Sequence, residues 1–358
     1  MTVTALVGAV LTGEPPVRVL DVDAVDVAPG VVAWTEPAIN PLVSGNIVAV
    51  IGDRSVLVFD AGHHPAVTRK VIADLKRRTQ KPVTDLVISH WHDDHWVAAP
   101  EFVTAWPGVR VIAHPFTAAM IGTRAAAMAP APCRHELRPP LESMRRRARE
   151  GKRPDGSPLP EASRIRLARF IRAGEEALAQ CGLRRPTEVT QVIADSLIID
   201  LGGRSVVLRH PGRANTAGDL IALIPDLTVL LTGDLVVAPF PYATMPYLTE
   251  WARALRGLEA RSGWTLVPGH GPVQRNPDYV RAVADVLESI ASQARAAWRP
   301  GLPEDSLRAR IDVSAHAERF ARGDPFLRVN FDAQMGSAIS RMWQELEGAW
   351  RPEASSPR

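Results

Sequence analysis

The chain has 358 residues and a formal net charge of +3, from 42 basic and 39 acidic side chains. So close a balance gives no strong electrostatic case for nucleic-acid binding, and 46% hydrophobic residues is ordinary for a globular protein with its own core. Cys133 and Cys181 form no CxxC unit and no disulfide framework, so two free thiols are expected.

In chain order, MTVTALVGAVLTGEPP at the N-terminus is mildly apolar but lacks a basic n-region and an Ala-x-Ala cleavage site. It reads as a poor signal peptide, so a cytoplasmic location without membrane contact is expected. VVAWTEP at 31–37 opens a strand series. IVAV at 47–50 and SVLVFDAG at 55–62, separated by GDR, have hairpin grammar. PAVTRKVIADLKRRT at 65–79 places Val67, Val71 and Leu75 at helical spacing behind a first-turn proline. DLVIS at 85–89 suits a buried strand, and the order strand, helix, strand indicates a layered α/β unit. A helix over Phe102 to Trp106 and a strand at 109–115 follow.

From about 117 to 185 the character becomes helical, with APAPCRHELRPP as a proline-rich break, and this segment is expected to be a helical insertion or lid. MRRRAREGKR at 144–153 reads as the solvated face of a helix. Strand grammar returns at 189–208 and again at 218–237, where PDLT joins two strands. A helix over TEWARALRGLEA, a strand in WTLVPGHG and a long amphipathic helix at 279–298 come next. The tail over 306–350 is mostly helical, with Phe331, Met342, Trp343 and Trp350 expected in the core. Two strand-rich halves thus flank a helical insertion, and a sandwich of two sheets between helices satisfies the order.

SHWHDDHW at 89–96 stands directly after a predicted strand, where a rigid scaffold positions loop chemistry. His90 and His92 can converge on one metal from this loop, while Asp94 and His95 can face a second position. Imidazole and carboxylate suit zinc, and also iron or manganese. Further ligands should stand at similar strand ends: Asp234 in LLTGDLV and His270 in LVPGHGP do so. Asp234 could bridge two metals, and bound zinc would lower the pKa of its water towards about 7. Asp93, or Asp94 if one metal binds, would orient or deprotonate that water. His114, His135 and His316 read as surface or capping residues. Trp91 and Trp96 either wall the pocket or pack the loop. Phe240, Tyr242 and Tyr247 are candidates for its rim, and His63 and His64, after the FDAG loop, are candidates to face the site with no ligand role assigned.

HWHDDH resembles the His-x-His-x-Asp-His signature of the metallo-β-lactamase superfamily. FDAG at 59–62, TGDLV at 232–236 and PGHGP at 268–272 match further signatures in the same order, over about residues 28–275. The resemblance implies an α/β fold, a four-layer αβ/βα sandwich of two mixed β-sheets. It implies a domain over 1–275 that includes the insertion, with a helical C-terminal extension over 276–358 packed on it. It places His90 and His92 in a first metal site and Asp94, His95 and His270 in a second. Asp234 bridges them, and Asp60 supports the site without binding metal. The superfamily's third first-site histidine usually stands in a Gly-x-x-His-Thr-x-Gly-like stretch, where GRANTAGD at 212–219 has Asn215. Asn215 is therefore a candidate weak ligand or oxyanion donor, with His210 as the substitute if the loop folds back.

The expected activity is zinc-dependent hydrolysis, with one or two ions, of a small-molecule ester, thioester, lactone or amide, the β-lactam included. The alternative is a non-hydrolytic metal-binding protein or an iron-dependent sulfur or oxygen enzyme on the same fold. Nuclease and flavin-linked members generally carry an additional domain that this chain lacks in its pattern. A homodimer is one use of the helical surfaces.

Overall fold

The computed structural model describes residues 20–36, 44–124, 126, 129–152, 156–261 and 263–348. Trp350 and the N-terminal stretch up to residue 19 lie outside the described residues. The first half contains β1 (Asp23–Ala28), β2 (Val31–Thr35), β3 (Ile47–Ile51), β4 (Val56–Phe59), α1 (Pro65–Arg78) and β5 (Val83–Val87). It continues through α2 (Asp93–Trp96), α3 (Ala99–Ala105), β6 (Arg110–Ala113), α4 (Pro115–Arg124), α5 (Pro130–Glu150), α6 (Glu161–Gln180) and β7 (Gln191–Val192). The second half contains β8 (Ser196–Asp200), β9 (Ser205–Arg209), β10 (Ile221–Ile224), β11 (Val229–Val237), α7 (Leu248–Glu259) and β12 (Thr265–His270). Helices α8 (Asp278–Ala297), α9 (Glu304–Arg308), α10 (Ser314–Ala321) and α11 (Pro325–Leu346) complete the described chain.

The strands form a seven-stranded sheet in the order β1 to β7 and a five-stranded sheet in the order β12-β11-β10-β9-β8. Both are mixed: β4 to β7 pair in parallel after an antiparallel meander, and β11 pairs β12 in parallel beside antiparallel neighbours. Period-2 alternation explains why whole strands are apolar. On β4, Leu57 and Phe59 enter the core between the sheets with Val206, Leu208 and Leu231, while Val56 and Val58 face α1 and α3 through Val71, Leu75 and Phe102. The second sheet packs outward through Leu230 and Leu266 onto α7, α8 and the C-terminal helices. The result is the expected four-layer sandwich of two mixed sheets between helices.

Two expectations are corrected. APAPCRHELRPP does not break the chain: Pro139 and Pro140 lie inside the continuous α5. Proline costs an interior helix a hydrogen bond, but here the helix is held from outside by burial of Leu141 and Cys133. The cysteines are also not free thiols, because Cys133 and Cys181 form a disulfide with Cα atoms 5.8 Å apart. Helix α5 and the turn after α6 meet there, a proximity that a sequence separation of 48 does not reveal. Among the described residues, no helix is long and apolar enough to cross a membrane.

Candidate metal centre

Strand ends bring the site together. Asp60 follows β4, the histidine cluster follows β5, Asp234 lies within β11, and His270 ends β12. The ladder between β11 and β12 shifts register around Gly233, which frees Asp234 from regular pairing. Two close approaches require glycine: a Cβ at Gly45 would lie 2.5 Å from His95 Cε1, and one at Gly269 would overlap Asp234 Oδ1.

Two ligand groups result. His90, His92 and Asp234 form one, Asp94, His95 and His270 the other, and within each the ligand atoms lie within 4.8 Å of one another. Asp234 touches both: Oδ2 is 3.6 Å from His90 Nε2, and Oδ1 is 3.3 Å from His95 Nε2 and 3.4 Å from His270 Nε2. His270 Nε2 is 3.1 Å from Asp94 Oδ2. Imidazole nitrogens face each other at 2.9 Å between His90 and His92, and at 3.2 Å between His95 and His270. Two lone pairs that close repel unless a proton or a cation lies with them.

The network behind the ligands fits a cation. Asp60 Oδ1 accepts from Ser89 N at 2.7 Å, and Oδ2 accepts from Ser89 Oγ at 2.8 Å. With its own proton given to Asp60, the Ser89 hydroxyl accepts from His90 Nδ1 at 2.9 Å. His95 Nδ1 donates to Asp60 Oδ2 at 2.8 Å. This assignment follows from the network and leaves both Nε2 lone pairs aimed at the ligand groups, the arrangement metal-binding histidines use. Asp60 itself has φ of 63°, a left-handed conformation that aspartate tolerates better than most residues. Asp234 Oδ1 is buried with no hydrogen-bond partner among the described residues. The donor set, the shared carboxylate and that orphaned oxygen fit one or two borderline-hard cations.

Electrostatics agree. Burial would raise Asp94, but His95, His270 and His92 hold it well below the usual carboxylate range. Burial likewise opposes ionisation of Asp234, yet His270, His95 and His90 keep it low. Burial pulls His95 down, while Asp234, Asp94 and Asp60 outweigh it and raise it well above the ordinary range, so these carboxylates draw positive charge to this point, a second proton on the ring where no cation takes its place. Burial and the neighbouring His95 keep His90 neutral.

Asn215 is buried in the loop between β9 and β10, and its Nδ2 has no hydrogen-bond partner among the described residues. Asp219 secures this loop by accepting from Thr216 N at 2.8 Å and Thr216 Oγ1 at 3.0 Å. His210 joins neither ligand group: its Nδ1 meets the Asp219 carbonyl oxygen at 2.8 Å and its ring lies 4.4 Å from that of His114. Asp93 is also not in either group. Arg124 grips both of its oxygens, at 2.8 and 2.5 Å, which ties this carboxylate to α4. Trp96 is a packing residue beside Phe102, with its indole N–H on the Trp91 carbonyl, whereas Trp91 lies edge-on to His92 at 4.7 Å. Phe240 and Tyr247 are buried, and the Tyr242 ring lies 6.3 Å from His270.

Several contributors escaped the sequence reading. Ser89, directly before His90, could have been found by asking what orients that ring. Glu36 had no signal. Its Oε1 accepts from Ser44 N at 3.0 Å, and the next residue, Gly45, donates its N–H to the Asp94 carbonyl at 3.0 Å. Burial pushes Glu36 up to about 8, opposed by the Ser44 N–H and by the charges of His270 and Arg169, with Asp94 adding to the rise. Burial, Asp94, Asp234 and Glu36 push Tyr242 up to about 12, so its phenol stays protonated.

Comparison with known proteins fits this geometry. Residues 40–270 match the metallo-beta-lactamase superfamily. The chain belongs to that superfamily. It is 23% identical over 295 residues to a linear primary-alkylsulfatase from Pseudomonas sp. (strain ATCC 19151), a match covering 77% of this chain and 51% of that protein. The chain thus spans about half the length of that curated relative. Its fold resembles a metallo-beta-lactamase from Pontibacter korlensis, with a TM-score of 0.52 and 17% identity over 75% of this chain and 99% of the other. It also resembles the stereoselective inverting sec-alkylsulfatase of a Pseudomonas species, with a TM-score of 0.60 and 16% identity over 90% of this chain and 50% of the other.

Proposed function

We propose that this protein is a metal-dependent hydrolase of an acyl bond in a small molecule: a carboxylic ester, thioester, lactone or amide. One observation carries the reading, namely two adjoining ligand groups with Asp234 in reach of both. A purely structural site has no need of that shared carboxylate. His90, His92 and Asp234 would hold one ion, and Asp94, His95 and His270 another, with zinc suited to the donor set. When bound, the metal supplies Lewis acidity and an acidified water.

The chain's own residues do the rest. Ser89 and Asp60 fix the tautomers of His90 and His95. Asn215, whose amide N–H has no partner among the described residues, would offer it to negative charge developing on the substrate. Asp93 holds the insertion to the histidine loop through Arg124. Trp91, with Arg124 over its ring, covers the His92 side and limits water there.

A sulfate ester is the second reading, favoured by the primary-alkylsulfatase relative. Chromogenic carboxylic and sulfate esters, assayed with metal, after chelation and after zinc return, test both. Hydrolysis that chelation abolishes and zinc restores supports the reading, and chelator-resistant hydrolysis or none contradicts it. The Cys133–Cys181 bond fits an oxidising compartment better than the cytoplasm.

A further inference from the structure

We infer that Gln334, on the C-terminal helix α11, is a positioning residue for substrate binding: it fixes the loop that places Tyr242 beside His270, and so makes the C-terminal extension part of the pocket. The inference rests on the hydrolase reading and adds to it a residue that sets the pocket's shape.

Between β11, which carries Asp234, and α7, residues 238–247 form an irregular loop. Its inner side meets the metal centre. Ala238 N donates to the His270 carbonyl at 3.1 Å, and Tyr247 N donates at 2.8 Å to the carbonyl of Ala214, the residue before Asn215. The Tyr242 ring lies 6.3 Å from that of His270 and 5.6 Å from that of Phe240. The outer side of the loop meets the C-terminal extension. Tyr279 Oη, on α8, donates to the Val237 carbonyl at 2.5 Å. From α11, Gln334 Oε1 accepts from Ala243 N at 2.8 Å, and Arg341 Nε donates to the Thr244 carbonyl at 2.5 Å. Glu345 accepts from Leu248 N at 2.6 Å and from Thr249 Oγ1 at 3.0 Å, at the start of α7. The loop therefore stands between the metal centre and the extension, bonded to both.

Gln334 has the most direct hold on Tyr242. Pro239, Pro241 and Pro246 bring the loop no N–H, so few backbone donors can anchor it. Ala243 is fully buried, and its N–H lies in the peptide plane that starts at the Tyr242 carbonyl carbon. That plane is rigid, so holding the N–H fixes the ψ of Tyr242. Without the Gln334 acceptor, a buried donor is left unpaired, and rotating the plane towards another acceptor becomes favourable. Arg341 and Glu345 act farther along, on the exposed Thr244 and on the end of α7.

The test uses the zinc-loaded full chain as wild type, Gln334→Met, Gln334→Glu, Tyr242→Ala and the double variant Gln334→Met with Tyr242→Ala. Kinetics are read on 4-nitrophenyl butyrate, or on 4-nitrophenyl sulfate if only that ester is turned over. Binding of butyrate and of sulfate is read by calorimetry, and zinc by elemental analysis. Gln334→Met keeps the length of the side chain without the acceptor. It should raise KM by about 5- to 10-fold with kcat and zinc content nearly unchanged, and weaken binding of the product anion by a similar factor. Gln334→Glu keeps an acceptor and should stay near wild type. In the Tyr242→Ala background, Gln334→Met should add no further change, a coupling that a general loss of stability would not produce. A wild-type KM and anion affinity in Gln334→Met, or an equal rise with and without Tyr242, overturns the inference. If the wild type hydrolyses neither ester, the hydrolase reading fails separately and calorimetry decides: equal affinity in wild type and Gln334→Met, or no binding of either anion, overturns the role of Gln334.

Discussion

Asp60 and His95, 35 positions apart in sequence, meet through a hydrogen bond of 2.8 Å from imidazole Nδ1 to carboxylate Oδ2. The same carboxylate takes both donors of Ser89, whose hydroxyl in turn receives the Nδ1 proton of His90. One buried side chain thus orients a histidine in each ligand group. Asp60→Asn puts an amide where two donors converge and removes the charge that favours Nδ1–H. Zinc affinity is expected to fall by about 10- to 100-fold, read by competition with a chromogenic chelator. Unchanged affinity would show that packing alone sets the rings.

On the sequence reading Asn215 stands where a histidine is usual, and its Nδ2 has no hydrogen-bond partner among the described residues. Asn215→His supplies an imidazole at that place. It is expected to tighten the weaker of two zinc-binding steps in a titration and leave the tighter step in place. If the stronger step changes instead, Asn215 belongs to the other half of the centre.

The histidine cluster, Asp234 and His270 were legible because each follows an apolar run within a few residues. The layers were legible because full burial of strands such as Val31–Thr35 writes continuous apolar runs. What stayed hidden depends on distant contacts. Arg124 lies 31 positions from Asp93, and nothing local marks that pairing. The disulfide joins a proline-bearing helix to a turn 48 residues on. β1 escaped because Asp23 and Asp26, both exposed on this edge strand, interrupt its apolar run and make it look like a loop.

The disulfide closes a loop around much of the insertion. Reduction, or Cys133→Ser with Cys181→Ser, should lower stability by roughly 2–4 kcal/mol. Thermal unfolding with and without reductant reads this as a lower Tm for the reduced chain, and matching Tm values would mean the insertion is held by packing alone. Non-reducing mass spectrometry establishes the bond itself.

Asp74 links the first sheet to α1 by accepting from Trp34 Nε1 at 3.0 Å and pairing with Arg77 and Arg78. Burial would raise it, but Arg78, Trp34 and Arg77 hold it below the usual carboxylate range. A depressed folded-state value contributes stability above the unfolded pKa of about 3.9, lost as pH falls through the folded value. Asp74→Asn keeps an acceptor for Trp34 and removes the charge. At pH 7 it should cost about 1 kcal/mol or less, and the Tm gap to wild type should close below about pH 4. A gap that persists there would assign the effect to geometry.

The most direct test of the shared-carboxylate centre is zinc content per chain in the wild type and Asp234→Asn, measured by elemental analysis beside ester hydrolysis. The account predicts two zinc ions per wild-type chain, a loss of at least one in Asp234→Asn, and loss of hydrolysis with it. Full zinc content and full hydrolysis in Asp234→Asn would contradict it.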